Sequence, residues 1–257
     1  IKNVSAFELN LGNICNLSCR ICGPVCSSTW ASELIASDKD VDANRIRLRN
    51  GEWPKTNTDF WHQFENFLPQ IEYLQFSGGE PLLIPYQWKS LQLAVDQGYA
   101  KNISLRYNTN GTITPTQEQF NLWKQFKSVK IDFSIDDIAE RYEYQRNKAK
   151  WSTLQQTILH FKKQQSENLQ LNVSVTVNMY NGYELPELCN WIDKQSFNSV
   201  WFNNLLSPHW LQISNMTHSM ANKVLDKWET LLSTKYKKQL EPFVKILHMS
   251  NGKHLEE

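Results

Sequence analysis

The sequence predicts an α/β fold, more specifically a partial, open (β/α)6 TIM-like barrel with a short helical C-terminal extension. Two observations support this prediction: strand-like apolar segments recur along the 257 residues, and helix-like segments separate them. Strands that alternate with helices build βα units and therefore a parallel sheet. Six such units fall short of the eight that close a barrel, so the sheet is expected to remain open.

The predicted elements follow one another in order along the chain. The strands lie at 7–11, 71–76, 103–107, 129–135, 169–177 and 200–202. The helices between them lie at 27–36, 60–67, 86–97, 116–126, 151–165 and 185–194. The polar stretch 38–58 is predicted to be an irregular, solvated insertion, and two helices at 216–232 and 236–248 close the chain. We therefore expect a barrel domain at 1–205 and a helical extension at 206–257.

Composition excludes few classes of function. The net charge is +1, which gives no strong attraction to nucleic acid or to a membrane surface. No apolar run reaches the roughly 18 residues of a transmembrane helix. The first eleven residues lack the pattern of a signal peptide, so the predicted location is the cytoplasm.

Polar and glycine-rich segments follow the predicted strands. Sites in parallel α/β folds gather at the carboxyl ends of the strands, so these segments are expected to share one site. They lie at 15–22, 77–80, 108–110, 134–136 and 178.

Three cysteines follow the first strand closely, as Cys15-x3-Cys19-x2-Cys22. Clustered cysteines without a secretion signal favour metal binding over disulfides. Three thiolates could hold three irons of a [4Fe–4S] cluster and leave the fourth iron open, as catalytic metal sites require. A zinc site and plain thiols remain alternatives, with Cys26 as a further possible ligand; Cys189 lies far away in an apolar helical segment.

The cysteine spacing resembles the signature of the radical S-adenosylmethionine (SAM) superfamily, and later motifs resemble the same family. A Gly-Gly-Glu motif follows the second strand, and a Ser-x-Asp motif with a later arginine follows the fourth. The resemblance implies cluster ligation and catalysis at Cys15, Cys19 and Cys22. It implies SAM contacts at Gly78, Gly79, Glu80, Asn108, Asn110, Ser134, Asp136, Arg146 and Asn178.

The family resemblance also implies chemistry and partners. A reduced [4Fe–4S] cluster would cleave SAM to a deoxyadenosyl radical, which abstracts hydrogen from a substrate, and a flavodoxin or ferredoxin would supply the electron. Segments such as 19–24, 106–110 and 140–146 are similar to the Twitch/SPASM-related branch, which favours a peptide substrate. The chain departs from that branch because only Cys26 and Cys189 remain for an auxiliary cluster, and Asp137 stands where many relatives have glycine.

Two other functions compete with a peptide-modifying enzyme. One is a radical SAM enzyme of small-molecule or nucleoside biosynthesis, many of which lack auxiliary clusters. The other is a non-catalytic, zinc-binding module. Iron content and SAM cleavage distinguish the zinc module from both enzymes.

Overall fold

A computed structural model describes residues 4–164 and 166–250. Their six strands form one parallel sheet in the order β1-β2-β3-β4-β5-β6, which confirms the predicted α/β class with an open sheet. The strands are Ala6–Asn10 (β1), Tyr73–Ser77 (β2), Ser104–Thr109 (β3), Ser128–Ser134 (β4), Leu169–Val177 (β5) and Ser199–Asn204 (β6).

Helices follow the strands within the described part of the chain. They are Ser28–Ala36 (α1), Val41–Gly51 (α2), Trp53–Thr56 (α3), Thr58–Glu65 (α4), Tyr86–Asp96 (α5), Gln117–Trp123 (α6), Ala139–Gln145 (α7), Trp151–Lys163 (α8), Leu185–Asp193 (α9), His218–Trp228 (α10) and Lys237–Met249 (α11). None of them is long and apolar enough to cross a membrane. Gln165, the predicted end of the helix at 151–165, lies outside the described residues.

The chain divides into two compact units. The first unit comprises Ile1–Ser18, Gly23–Phe133 and Lys148–Leu171. The second unit comprises Cys19–Cys22, Ser134–Asn147 and Asn172–Glu257. The predicted division into 1–205 and 206–257 stays a prediction, and its last residues, 251–257, lie outside the described part.

Apolar side chains from the strands form the core of the first unit. Leu105 and Tyr107 of β3 are fully buried, and so are Val129 and Ile131 of β4. The ring of Tyr107 lies 5.1 Å from that of Trp123 on α6. Each such large side chain contributes about 1.5–3 kcal/mol on burial, so this core fixes the strand ends that carry the polar motifs.

The second unit has its own core. Val173, Val175 and Val177 of β5 are fully buried, and Trp228 of α10 packs there with its indole Nε1 donating to the carbonyl of Gly182 at 2.7 Å. Leu188 of α9 is also fully buried. The two predicted C-terminal helices therefore have counterparts in α10 and α11, which pack within this unit.

The stretch 38–58 corrects the prediction of an irregular insertion, because it contains the helices α2 and α3 and the start of α4. Only Asn44 and Gly51 of α2 are buried, so the helix has no apolar stripe to reveal it in the sequence. Its solvated character was predicted correctly. The indole Nε1 of Trp53 donates to the carbonyl of Asn10 at 3.1 Å and attaches the segment to the end of β1.

Glycines allow the backbone of the inserted helices to approach the backbone that follows β1. Gly12 adopts a φ of +84°, and a Cβ placed on it would lie 2.2 Å from the carbonyl oxygen of Gly51. A Cβ on Gly51 would lie 1.7 Å from Oδ1 of Asn13. Because no side chain fits between the backbones, the inserted helices contact the start of the cysteine loop directly.

Candidate functional site

The start of α1 holds the backbone of Cys15. The hydroxyl of Ser28 accepts from the Cys15 amide at 3.1 Å, and the hydroxyl of Thr29 donates to its carbonyl at 2.7 Å. Ser27, the N-cap of α1, accepts from the amide of Trp30 at 3.2 Å and donates to the carbonyl of Leu17. Three successive hydroxyl residues at the start of a helix therefore shape the loop.

Gly78 and Gly79 connect β2 to the same loop. The Gly79 amide donates to the carbonyl of Gly12 at 2.9 Å, and the Glu80 amide donates to that of Ile14 at 2.8 Å. Gly78 has a φ of +121°, and a Cβ on Gly79 would lie 2.3 Å from the Ile14 carbonyl oxygen. Both glycines are thus required for close backbone contact with the segment that leads into Cys15.

The side chain of Glu80 is fully buried and occupied by protein donors. Its Oε1 accepts from the hydroxyl of Thr109 at 2.9 Å and from the amide of Leu82 at 3.1 Å. Its Oε2 accepts from the amide of Asn110 at 2.7 Å. The carboxylate therefore joins the ends of β2 and β3; the predicted contact of Glu80 with SAM stays a prediction.

The end of β3 supplies two amide side chains. Asn110 is buried, and its Nδ2 lies 3.8 Å from Sγ of Cys15 and 3.0 Å from Oδ1 of Asn16. Oδ1 of Asn108 is buried and has no hydrogen-bond partner among the described residues. A buried acceptor in this condition is typical of a ligand-binding position.

In the second unit, Arg20 fixes the short segment that contains Cys19 and Cys22. Its backbone amide donates to the carbonyl of Gln145 at 2.8 Å, and its Nε donates to the carbonyl of Tyr144 at 2.9 Å. The guanidinium also lies 4.3 Å from the centre of the Tyr144 ring. These contacts tie the two cysteines to the end of α7, a helix that the sequence analysis did not predict.

Arg146 links an acidic residue to a cysteine. Its Nη2 forms an ion pair with Oδ2 of the fully buried Asp136 at 2.7 Å, and its Nη1 lies 4.0 Å from Sγ of Cys19. Burial disfavours the charged guanidinium, but the charges of Asp136 and Cys19 favour it, and the net effect raises the pKa of Arg146. The arginine is therefore a permanent cation beside this cysteine.

Asn178 is fully buried at the end of β5. Its Nδ2 donates to Oε1 of Gln145 at 3.1 Å and to the carbonyl of Thr176 at 2.8 Å. Its Oδ1 accepts from the amide of Tyr180 at 2.8 Å. Asn178 thus orders the strand end and α7, and Ser134 ends β4 in a partly exposed position.

A second buried acid, Asp137, neighbours Asp136. Its carboxylate accepts from the amide of Ile138 at 2.8 Å and from Nε of Arg141 at 3.0 Å. Burial raises the pKa of Asp137 to about 6, although these two donors oppose the shift. Asp137 is therefore an acid that keeps its proton to a higher pH than an ordinary aspartate does.

The structure groups the predicted residues within each unit. In the first unit it brings Cys15, Glu80 and Asn110 together, and in the second it brings Cys19, Asp136 and Arg146 together. Sequence reasoning missed Gln145, which is buried and donates to Asp137 at 3.3 Å while it accepts from Asn178. No feature of the neighbouring sequence indicates that this glutamine is buried rather than exposed.

Comparison with known proteins now identifies the class that the parallel sheet and the three-cysteine loop define. A family model described as the radical SAM superfamily matches residues 9–192, well over half of the chain. The chain belongs to this superfamily. A comparison with curated proteins finds no match.

Solved structures share the fold. The structure of anSMEcpe with bound AdoMet and a Kp18Cys peptide has a TM-score of 0.60 at 16% identity, with 92% of this chain covered. Streptococcus suis SuiB bound to precursor peptide SuiA has a TM-score of 0.54 at 9% identity, with 90% of this chain covered. TYW1 with a lysine-pyruvate adduct has a TM-score of 0.51 at 12% identity, with 90% covered. This chain spans 61%, 47% and 74% of those chains, respectively.

The cofactors of the superfamily are a [4Fe–4S] cluster and SAM. The polar groups beside the cysteines fit a cluster, because amide and guanidinium donors face two of the three sulfurs and would compensate thiolate charge. The buried, unpartnered Oδ1 of Asn108 and Nε of Arg146 fit a polar ligand such as SAM. Within the described residues no three His, Cys, Asp or Glu side chains are placed to hold a single metal ion. A [4Fe–4S] cluster does not require such a site, because each of its cysteine ligands binds a different iron atom.

Proposed function

We propose that the protein is a SAM-cleaving radical enzyme in which Cys15, Cys19 and Cys22 hold the cluster. The observation that carries the proposal is the pair of donors, Asn110 and Arg146, directed at the sulfurs of Cys15 and Cys19. Plain thiols have no need of such donors, whereas thiolate ligands are stabilised by them. When bound, the cluster and SAM supply a radical that abstracts hydrogen from a substrate carbon.

The remaining cysteines are poorly suited to the same task. Burial raises the pKa of Cys189 to about 12, which keeps its thiol protonated, and only a thiolate binds metal. Cys26 lies at an exposed position after the three-cysteine motif. Both residues therefore serve as matched controls for the three proposed ligands.

The protein residues would orient the cofactors. The backbone contacts of Ser28 and Thr29 fix Cys15, and those of Arg20 fix the segment of Cys19 and Cys22. Asn108 and Arg146 would offer a buried acceptor and a buried donor to polar groups of SAM. Such preorganised groups bind without rearrangement, which is what precise placement of a reacting bond requires.

Anaerobic reconstitution tests the cluster. The wild-type chain should bind about four irons and, with dithionite or reduced flavodoxin, convert SAM to methionine and deoxyadenosine. Replacement of Cys15, Cys19 or Cys22 by alanine should abolish SAM cleavage, whereas Cys26→Ala and Cys189→Ala should retain it. Wild-type protein that binds zinc and leaves SAM intact would support the zinc-module alternative instead.

A peptide is the proposed substrate. Two observations support this proposal. One is the similarity in fold to anSMEcpe and SuiB, whose structures hold peptides, and the other is the set of sequence segments similar to the Twitch/SPASM-related branch.

Isotope transfer distinguishes a peptide substrate from a small-molecule substrate. A deuterated cell extract is divided into peptide and small-molecule fractions, and each is incubated with the reconstituted enzyme and SAM. Deuterium should enter deoxyadenosine from the peptide fraction; entry from the small-molecule fraction alone would contradict the proposal.

A further inference from the structure

The amide of Asn110 faces a proposed cluster ligand. Its Nδ2 lies 3.8 Å from Sγ of Cys15, within the range of an N–H···S hydrogen bond, and 3.0 Å from Oδ1 of Asn16. Asn110 is only 6% exposed, so water does not replace this donor readily. The contact lies wholly within the first compact unit.

The orientation of this amide is fixed by its neighbours. Oδ1 of Asn110 accepts from the backbone amide of Thr112 at 2.9 Å. A backbone N–H can only donate, so a flipped Asn110 would place two donors against each other. The hydroxyl of Thr112 also donates to this Oδ1 at 2.6 Å and accepts from Nδ2 of Asn16 at 2.8 Å. The N–H end of Asn110 must therefore point towards Asn16 and Cys15.

Glu80 holds the backbone from which this amide projects. Its carboxylate accepts from the Asn110 amide at 2.7 Å and from the hydroxyl of Thr109 at 2.9 Å. Glu80 is fully buried, so these bonds form in a low dielectric, where they are stronger than in water. The side chain of Asn110 is thus fixed both through its backbone and through its amide oxygen.

We propose that Asn110 is a positioning residue that acts through the sulfur of Cys15 and raises the reduction potential of the cluster. This inference rests on the proposed function. When an external one-electron reductant adds an electron to the cluster, negative charge on the thiolates increases. An N–H donor stabilises the more negative, reduced state, and hydrogen bonds to the sulfurs are among the factors that set such potentials.

The test is a redox titration of the reconstituted full-length protein without SAM, with dithionite as reductant and EPR as the readout. Asn110→Leu keeps the approximate shape of the side chain and removes the donor. Its midpoint potential should shift to a more negative value while its iron content stays that of the wild type. Asn121→Leu, which makes the same change at an exposed position on α6, is the control and should keep the wild-type potential.

The outcomes separate the two proposals. A wild-type chain that assembles no iron–sulfur cluster would overturn the proposed function and this inference with it. A cluster whose potential is the same in Asn110→Leu and wild type, or shifts equally in Asn121→Leu, would overturn the inference alone. Should Asn110→Leu fail to take up iron, Asn110→Ala removes the same donor with less bulk, and an unchanged potential in that variant overturns the inference.

Discussion

The two compact units each bury an acid at the end of a strand, and the partners of the two acids differ in charge. Glu80 in the first unit accepts from neutral donors, among them two backbone amides and the hydroxyl of Thr109. Asp136 in the second unit accepts from the amide of Thr176 at 2.8 Å and pairs with the cation of Arg146. The donors that face the cysteines differ in the same way, since Cys15 meets an amide and Cys19 a guanidinium.

This difference indicates that the binding of Glu80 depends on hydrogen-bond direction, whereas that of Asp136 depends on charge compensation. A neutral donor set can lose one member at a modest cost, because no net charge is left behind. A buried ion pair that loses its cation leaves an uncompensated carboxylate in a low dielectric. The second unit should therefore be the more sensitive to single substitutions at its acid.

The largest effect on stability is expected for Arg146→Met. It leaves the fully buried Asp136 without its cation and should lower the free energy of unfolding by about 3–5 kcal/mol. Urea denaturation of the protein without cofactors measures this cost. Arg45→Met is the control, because the side chains of Arg45 and its partner Asp42 are 68% and 96% exposed and water screens their ion pair. An equal cost in both variants would show that charge compensation at Asp136 is not special.

A smaller effect is expected for Glu80→Gln. The new amide group would place a donor against the backbone amide of Leu82 or that of Asn110, which should cost about 1–3 kcal/mol of unfolding free energy. Exposed Glu118 provides the control variant Glu118→Gln. The same denaturation experiment applies. A cost for Glu80→Gln as large as that of Arg146→Met would erase the proposed contrast between the two units.

The most gradual effect is a pH dependence at Asp137, whose pKa burial raises from 3.8 to about 6. Between these values the folded chain holds this proton and the unfolded chain releases it, so stability falls as pH rises through this window. The loss should be on the order of 3 kcal/mol once the acid is fully ionised, and it is spread over the whole window. Denaturation of wild type and Asp137→Asn from about pH 4 to pH 7 measures the difference between them. A wild-type curve parallel to that of Asp137→Asn would contradict the shift.

Much of the fold could be predicted because its signals are local. Alternating or continuous apolar residues revealed the six strands, and the helix predicted at 27–36 corresponds to α1 with its N-cap Ser27. Helix α2 was not predicted because its buried residues, Asn44 and Gly51, are not apolar. Helix α7 was not predicted because it is short and its buried positions, Tyr142 and Gln145, form no apolar stripe.

The site was predictable in its members and less so in their contacts. The cysteines and the Gly-Gly-Glu motif were visible as sequence patterns. The partners of Glu80 come from β3, 29 and 30 positions further along the chain, so only the folded sheet reveals them. The same holds for Gln145, which lies 33 positions from its partner Asn178.

The contact of Gly12 with Gly51 and Gly78 limits how this region can change. A Cβ on Gly12 would lie 2.2 Å from the Gly51 oxygen, and a Cβ on Gly78 would lie 2.6 Å from the Gly12 oxygen. In an ordinary core, a larger side chain can be accommodated when a neighbouring side chain is replaced by a smaller one. Here the neighbouring atoms belong to the backbone, which no substitution can make smaller. We therefore expect a homologue that replaces one of these glycines to differ in the length or course of an entire loop.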